Sequence, residues 1–226
     1  MLGITCALYD EAYEIIRLLK RQKSGSTYHY TGKIQDVPVT LFLTKPALKK
    51  NKKNLIEWIK INKVSVLLQT GYCGALTNRY QPGDVCQISR VMRAHENEIA
   101  VTPGETHSLI TVDFPVLTLE GKEDILRNHS AELVDMESWH ICHLVLLNFP
   151  GIKMNVLKIV GDIPGEELLM NHEINMRSFF IEHCVKNKLK IILKTGWSFF
   201  SLYRRKRLLQ KTLKNAVIQY IADQNQ

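Results

Sequence analysis

Short apolar runs that alternate with segments of helical periodicity are the feature that most constrains the fold of this chain. Strand-like runs of this kind occupy residues 3–8, 64–69, 109–112 and 156–160. Helical spacing of apolar residues is found over residues 12–19, over residues 51–62 and from about Met136 onward. Because strands that alternate with helices build a sheet covered on both faces, the pattern predicts an α/β fold with a central mixed β-sheet flanked by helices.

The chain is long enough for one substantial hydrophobic core. It has 226 residues, of which 45% are apolar, and this size does not require two full domains. Residues 28–30 and 37–43 flank turn-forming residues in the manner of a β-hairpin, which would extend the sheet. We therefore expect a single α/β domain over residues 1–180.

The positive charge is concentrated in one segment. The chain has a formal net charge of +8, yet residues 186–214 contain ten basic residues and no Asp or Glu. The ten are Lys186, Lys188, Lys190, Lys194, Arg204, Arg205, Lys206, Arg207, Lys211 and Lys214. Without them the net charge would be −2. The sequence therefore predicts a basic, amphipathic helical extension over residues 181–226 with an anionic surface as its partner.

Aromatic and aliphatic residues are interleaved with these cations. This combination suits a membrane interface, where aromatic rings lie at the headgroups and lysine stems reach outward. An equally open alternative is a terminal helix that packs its apolar side on the domain and exposes its charges to water. Nucleic acid is not an expected partner, because no known binding motif accompanies the charge.

Hydropathy and cysteine usage bear on cellular location. Every apolar run is far shorter than the roughly 20 residues that cross a bilayer, and the amino terminus does not resemble a secretory signal. The five cysteines follow no paired spacing, so we expect reduced thiols. We therefore predict a cytoplasmic protein, attached peripherally to the inner face of the membrane if the basic segment binds lipid.

No metal or dissociable cofactor is expected. His140, Cys142 and His143 are close in the sequence, and all three residue types can bind metals. Neighbouring positions on a helix point in different directions, however, so these side chains would not converge on one ion. Packing within the fold is the favoured interpretation of all three.

Three acidic residues follow predicted strands or open a predicted helix. Glu11 follows the first strand, Asp162 follows the strand that ends near Val160, and Glu137 opens a helix. Ligands of such sheets bind beyond the carboxyl ends of the strands. Cleavage of a ribosyl N-glycosidic bond passes through an oxocarbenium-like sugar, for which carboxylates supply the acid and the base. Acids at these positions also serve as helix caps, and the residues alone leave both interpretations open.

Four segments resemble motifs of one enzyme family, in the family's order. GITCALYDEA at residues 3–12 looks like the opening strand and acidic turn of methylthioadenosine/adenosylhomocysteine nucleosidases, in the nucleoside phosphorylase superfamily. TGYCGAL at residues 70–76, followed by QPGDV at residues 81–85, resembles the family's glycine loop and the start of its next strand. VDMES at residues 134–138 resembles the ribose-binding motif, and VGD at residues 160–162 resembles the strand end that carries a purine-contacting aspartate. Together the four segments span residues 3–162.

The resemblance implies a role for each matching residue. Glu11 would be the base that orients a water molecule, Glu137 would bind the ribose hydroxyls, and Asp162 would protonate or hydrogen-bond the purine at N7. Further substrate contacts would come from Met136 against the sugar, from Gly71 and Tyr72 in the glycine loop, and from Phe114 and Val116 beside the base. The family also implies a purine nucleoside as substrate, no cofactor, and a homodimer.

Two details are similar to hopanoid-associated phosphorylases within this superfamily. These are the motif Asp-Met-Glu-Ser at residues 135–138 and the short interval between Asp84 and Asp135. Lys122 and the basic helical tail fit the same group. This similarity implies a lipid-linked adenine nucleoside, such as adenosylhopane, from which adenine is released.

Departures from the family pattern favour hydrolysis over phosphorolysis. Phosphorolytic relatives hold phosphate with arginine and hydroxyl groups where this chain has Gln69 and Tyr72, and the Glu11 carboxylate would repel the anion. Residues 45–49, KPALK, replace a glycine-rich turn of the family. We therefore expect a nucleosidase. The alternatives are a phosphorylase with phosphate as co-substrate, and a catalytically silent relative that binds only a nucleoside or a membrane.

Overall fold

The computed structural model describes residues 1–24, 27–44, 51–96, 98–101, 107–116, 118–165 and 188–224. Its elements, in chain order, are β1 (Leu2–Cys6), α1 (Tyr9–Ile16), β2 (Lys20–Ser24), β3 (Thr27–Ile34), β4 (Val37–Leu43), α2 (Lys52–Ile61), β5 (Val66–Ala75), β6 (Val85–Arg93), β7 (Ile99–Ala100), β8 (His107–Thr111), α3 (Leu119–Asn128), β9 (Leu133–Asp135), α4 (Ser138–Asn148), β10 (Lys153–Asp162) and α5 (Lys188–Asp223).

All the described strands belong to one mixed sheet. Its order is β10-β6-β8-β9-β5-β1-β4-β3-β2, with β7 on β6 and a further pairing of β10 with β5. Because β10 pairs with both β5 and β6, the strands β5, β10, β6, β8 and β9 form a closed ring. β5 lies between β1 and β10 and is parallel to both. The carboxyl ends of these three strands therefore meet at one edge, as predicted for a ligand site.

The helices cover the sheet with apolar residues at helical spacing. Leu55, Trp58 and Ile59 of α2 are buried, and the Trp58 ring stacks on Phe42 of β4 with centroids 5.4 Å apart. α1 buries Ala12, Ile15 and Ile16 on the other core cluster. This two-sided burial confirms the predicted α/β fold with a mixed sheet, and the pairing of β3 with β4 confirms the predicted hairpin.

The C-terminal helix is part of that second core. Leu209, Leu213, Val217 and Ile221 recur every fourth residue on α5 and are buried with Ala12 and Ile15 of α1. From Arg204 onward, α5 therefore packs its apolar side on the domain, as the second of the two alternatives expected. The predicted division at residue 180 lies outside the described residues and stays a prediction. No helix among the described residues has the length and apolarity needed to cross a bilayer.

The structure corrects three boundaries. The glycine motif at residues 70–74 is not a loop, because β5 continues to Ala75 and pairs with β10 as far as Gly74, with a register shift between Val160 and Asp162. The first helix ends at Ile16, so Leu18 and Leu19 lie beyond it, and the Leu18 side chain is exposed. Asp162 is the last residue of β10 rather than a loop residue. The pattern of apolar residues did not predict two further elements, because their sequences are largely polar or charged. These are the strand β2 (KRQKS) and the helix α3 (LEGKEDILRN).

Candidate functional site

Glu11 lies in the first turn of α1, directly beyond β1. Its Oε2 accepts a hydrogen bond from the backbone N–H of Leu8 and another from the Cys6 thiol, both at 3.2 Å. The contact with Leu8 is a capping contact, since Leu8 is the N-cap residue of α1. Capping therefore fixes the carboxylate at the carboxyl edge of the sheet.

Gly71 leaves room for that carboxylate. Its φ of +146° is a conformation that side chains with a Cβ rarely adopt. A Cβ at this position would lie 3.2 Å from Glu11 Oε2. Glycine is thus required at residue 71 both by the backbone and by the close approach of the acid.

Asp162 lies against the second glycine of β5 and is held by a lysine. A Cβ at Gly74 would lie 3.2 Å from Asp162 Oδ2 and 3.2 Å from Val134 of β9. The Lys122 ammonium, on α3, donates a hydrogen bond to Asp162 Oδ2, and the Lys122 side chain is 1% exposed. The acid at the end of β10 is therefore one partner of a buried ion pair.

A buried polar network lies next to Glu137. Lys158 Nζ of β10 lies 2.8 Å from Asp135 Oδ2, and Thr111 Oγ1 donates to Asp135 Oδ1 at 2.7 Å. The backbone N–H of Ser138 donates to Asp135 Oδ2 at 3.1 Å. Asp135 thereby caps α4, whereas the N-cap residue Glu137 makes no side-chain capping bond. The Glu137 carboxylate is thus not committed to the helix terminus.

Burial in this network shifts Glu137 and Glu11 toward protonation. Burial, together with the charge of Asp135, raises the pKa of Glu137 to about 8, although Lys158 partly offsets the rise. Burial also raises the pKa of Glu11, and the charge of Lys158 again opposes the shift. Burial alone would lower the pKa of Lys158, but Asp135 and Glu137 raise it above its usual range. One lysine cation therefore lies among three carboxyl groups.

The structure brings the three predicted acids to the same end of β5. Glu11 lies beside Gly71, Asp162 lies beside Gly74, and β9, which leads to Glu137, pairs with β5 at Gly74. Charge interaction between Glu137 and Glu11 contributes to the raised pKa of Glu137. The three acids therefore lie at one edge of the sheet, where Glu11 also caps α1.

The predicted substrate-binding residues differ in how far their side chains are buried. Met136 and Tyr72 are half-buried, and Tyr72 packs against the core that includes Leu157 and Ile159. Val116 is half-buried against a small cluster that contains Ile110 and Val134. Phe114, on the segment after β8, is 79% exposed. Residues 45–49, the altered turn, lie outside the described residues.

Sequence reasoning missed the role of Lys158. The signal was present, because a lysine inside the apolar strand MNVLKIV can be fully buried only with a partner. Asp135 and Ser138 were noted only as parts of a motif, and Lys122 only as a subfamily feature. Gln69, noted for the arginine that it replaces, accepts a hydrogen bond from Ser138 Oγ at 2.9 Å.

Helix α5 contacts the residues that precede two of the acids. The Arg205 guanidinium donates to the carbonyl of Gly161 at 2.8 Å. Lys206 Nζ lies 3.0 Å from Asp10 Oδ2, and Gln210 donates to the Asp10 carbonyl at 2.6 Å. Part of the basic segment therefore holds the chain next to Glu11 and Asp162.

Within the described part of the chain, no group of three or more His, Cys, Asp or Glu side chains is arranged to hold a metal ion. Cys142 is fully buried, and the His143 ring stacks on Trp139 with centroids 4.4 Å apart. Cys142 and His143 therefore pack within the fold. The four described cysteines, Cys6, Cys73, Cys86 and Cys142, are buried and unbridged.

Comparisons with known proteins agree with this fold. A family model described as the phosphorylase superfamily matches residues 2–107. The S-adenosylhomocysteine nucleosidase of Streptococcus pyogenes, in complex with 5-methylthiotubericidin, has 16% identity and a TM-score of 0.65 over 95% of this chain and 96% of that one. A comparison with curated proteins returned no match.

Two further solved structures are similar. A methylthioadenosine/adenosylhomocysteine nucleosidase of Colwellia psychrerythraea, in complex with adenine, has 16% identity and a TM-score of 0.64 over 76% of this chain and 86% of that one. A futalosine hydrolase mutant of Helicobacter pylori has 15% identity and a TM-score of 0.57 over 71% and 88% of the two chains. The family match over residues 2–107 and the fold shared with these solved structures agree with the motifs at residues 3–162.

Proposed function

We propose that this protein is a nucleosidase that hydrolyses the N-glycosidic bond of an adenine nucleoside and releases adenine. The observation that carries the proposal is the clustering of Glu11, Glu137 and Asp162 at the end of β5, where Gly71 and Gly74 leave room for two of them. The solved structures of similar fold are nucleosidases and a futalosine hydrolase, which supports the same chemistry.

Each acid has an environment suited to a different task. Glu137, with a pKa of about 8, is largely protonated at neutral pH and can both donate to and accept from ribose hydroxyls. Glu11, held by Cys6 and Leu8, would orient the attacking water and take its proton. Asp162, at the end of β10, would protonate or hydrogen-bond the purine at N7. Water would then attack the anomeric carbon as the bond to the purine breaks.

The charges around the cluster support water rather than phosphate as the nucleophile. Lys158 and Lys122 are cations at the described acids, and each is paired with a carboxylate, Asp135 and Asp162 respectively. Gln69 is held by Ser138, and Glu11 lies beside Gly71. An incoming phosphate would therefore meet the Glu11 carboxyl group, and these two described cations are already paired with carboxylates.

Adenine release from a nucleoside, measured with and without phosphate, tests this proposal. We expect equal rates in the two conditions and free ribose as the sugar product, with Glu11→Gln as the inactive control. A ribose 1-phosphate product found by mass spectrometry would replace hydrolysis by phosphorolysis. Binding of a nucleoside without turnover would identify a silent relative instead.

We further propose that the substrate is lipid-linked and that the basic segment, residues 186–214, adsorbs to an anionic bilayer. Supporting this are the exposed Arg204, Arg207, Leu208 and Lys211 on α5, a helix whose opposite side packs on the domain. A basic residue close to an anionic membrane contributes about 1 kcal/mol to binding. An enzyme that acts on a lipid-linked nucleoside would benefit from this adsorption.

Sedimentation with vesicles of anionic lipid tests the membrane proposal. The informative change is neutralisation of Arg204 and Arg207, whose side chains are exposed. We expect the unaltered protein to sediment at low salt and this variant to remain largely soluble. If the unaltered protein stays in the supernatant, the segment does not bind the bilayer. A homodimer, which the family resemblance implies, is tested separately by light scattering.

A further inference from the structure

Lys122 occupies a position that is costly for a lysine. It lies in the first turn of α3, after the N-cap Thr118, where the positive end of the helix dipole disfavours a cation. Its residue exposure is 0%, although lysine side chains normally extend into water. An ammonium group in this place must be stabilised by a buried partner.

That partner is Asp162, the acid proposed to contact the purine. The Lys122 ammonium donates a hydrogen bond to Asp162 Oδ2. Among the described residues, Asp162 is the carboxylate that pairs with Lys122. Replacing a buried ion pair by apolar residues often does not destabilise a protein, so a contribution to stability is a weak explanation for this pair. A direct contact between a proton donor and the leaving-group acid points to chemistry instead.

We propose that Lys122 supplies the proton that Asp162 delivers to N7 of the departing purine. The inference rests on the proposed nucleosidase activity and deepens it. As the bond between the anomeric carbon and N9 breaks, its electron pair stays with the purine and N7 becomes more basic. A proton passes from the Lys122 ammonium to the ionised Asp162 carboxylate, the carboxyl group so formed donates a proton to N7, and Lys122 is left as a neutral amine.

The protons balance over the whole reaction. The attacking water gives its hydroxyl to the anomeric carbon and its proton to Glu11. Glu11 then releases that proton to solvent, and Lys122 regains one from solvent as the products leave. Lys122 acts through Asp162 and is therefore a positioning and proton-supplying residue that does not itself touch the substrate.

Two substitutions separate proton supply from the holding of Asp162 in place. Lys122→Met removes the charge at similar length, whereas Lys122→Arg keeps a cation and its hydrogen bonds but does not give up a proton in proteins. We expect both variants to release adenine about 100-fold more slowly, which is a usual contribution of general acid catalysis. Recovery of the unaltered rate by Lys122→Arg would show that Lys122 only holds Asp162.

Substrates whose leaving groups need no proton provide the decisive comparison. A p-nitrophenyl riboside and an N7-methylated purine nucleoside both release their leaving group without protonation. We expect the Lys122 variants to cleave these substrates within about 3-fold of the unaltered enzyme, because general acid catalysis is not needed. Equal losses on all substrates would overturn the relay, as would a faster release of adenine by Lys122→Met.

The double variant Lys122→Met with Asp162→Asn guards against a folding artefact. It removes both charges, so that no unpaired carboxylate is left buried, and circular dichroism would confirm the fold. In the Asp162→Asn background, loss of Lys122 should cause no further loss of adenine release, and an additive loss would contradict a shared step. Absence of adenine release by the unaltered protein would refute the nucleosidase activity and the relay with it. If the unaltered protein releases adenine but the Lys122 variants lose activity equally on all substrates, the relay alone is refuted.

Discussion

Lys158 Nζ lies 2.8 Å from Asp135 Oδ2, and both side chains are only 1% exposed. This ion pair joins β10 to β9, two strands that do not pair with each other in the sheet. The positive charge of Lys158 acts on the nearby Glu137 and Glu11, where it lowers the pKa of each carboxyl group and so opposes the effect of burial. The pair therefore connects the stability of the sheet with the protonation of the site.

Loss of Lys158 should destabilise the protein strongly. Lys158→Met leaves Asp135 buried without its cation, which costs roughly 3–5 kcal/mol of unfolding free energy. The matched control is Lys153→Met, at the exposed start of the same strand, for which we expect a change below about 0.5 kcal/mol. Urea unfolding of both variants measures the difference. Similar stabilities for the two variants would show that the buried pair is dispensable.

Glu11→Gln and Asp162→Asn should each abolish most turnover and keep the fold. Each change removes a proton-transfer group but preserves the shape of the side chain, and a loss of about 100-fold or more is expected. Glu57→Gln, on the exposed surface of α2, is the control with normal turnover. Adenine release and circular dichroism give the two readouts. Normal activity in either variant, with the fold intact, would remove that residue from the mechanism.

Glu137 should make stability depend on pH in a predictable direction. Its pKa rises from an ordinary 4.5 to about 8 in the folded protein, so the folded state holds this proton more tightly than the unfolded state. Its contribution to stability is therefore present below pH 4.5 and is lost as the pH rises to about 8. We expect Glu137→Gln to reduce this loss by roughly 1–4 kcal/mol.

Urea unfolding at pH 5, 6.5 and 8 would measure that loss, with Glu57→Gln as the control that keeps the slope of the unaltered protein. Because the pKa of Glu11 is also raised, a partial slope should remain in the Glu137 variant. An identical slope in the variant and the unaltered protein would contradict the raised pKa of Glu137.

Gly71→Ala should reduce both stability and turnover. The substitution strains a backbone with φ of +146° and places a Cβ 3.2 Å from Glu11 Oε2. We expect a loss of about 1–3 kcal/mol of unfolding free energy and misplacement of the Glu11 carboxylate. Gly83→Ala is the matched control, because φ there is +101° but a Cβ would meet no atom within 4 Å.

The Gly83 control should therefore show the backbone strain without the loss of adenine release. Thermal unfolding and turnover of the two variants separate strain from contact with the acid. If Gly83→Ala lost as much turnover as Gly71→Ala, the close approach of Glu11 would not be the cause.

The sequence by itself determined the fold class and the positions of the acids. Apolar periodicity sets which segments become strands and helices, and acids that follow those segments necessarily lie at the strand ends. The pattern places Glu11, Glu137 and Asp162 at strand ends or helix starts in this way, and the family resemblance predicts their roles. The hairpin of β3 and β4 was equally local, because a short turn fixes its register.

Only the tertiary structure decided what surrounds those acids. Lys158 meets Asp135, and Lys122 meets Asp162, across 23 and 40 residues of chain, respectively. Hydrophobic periodicity in the sequence does not predict either contact, because such contacts depend on how strands from distant segments are ordered in the sheet. The extension of β5 through the glycine motif has the same origin, since pairing with β10 rather than local preference holds residues 70–74 extended. Local sequence patterns therefore placed the carboxylates, and long-range packing supplied the cations beside them.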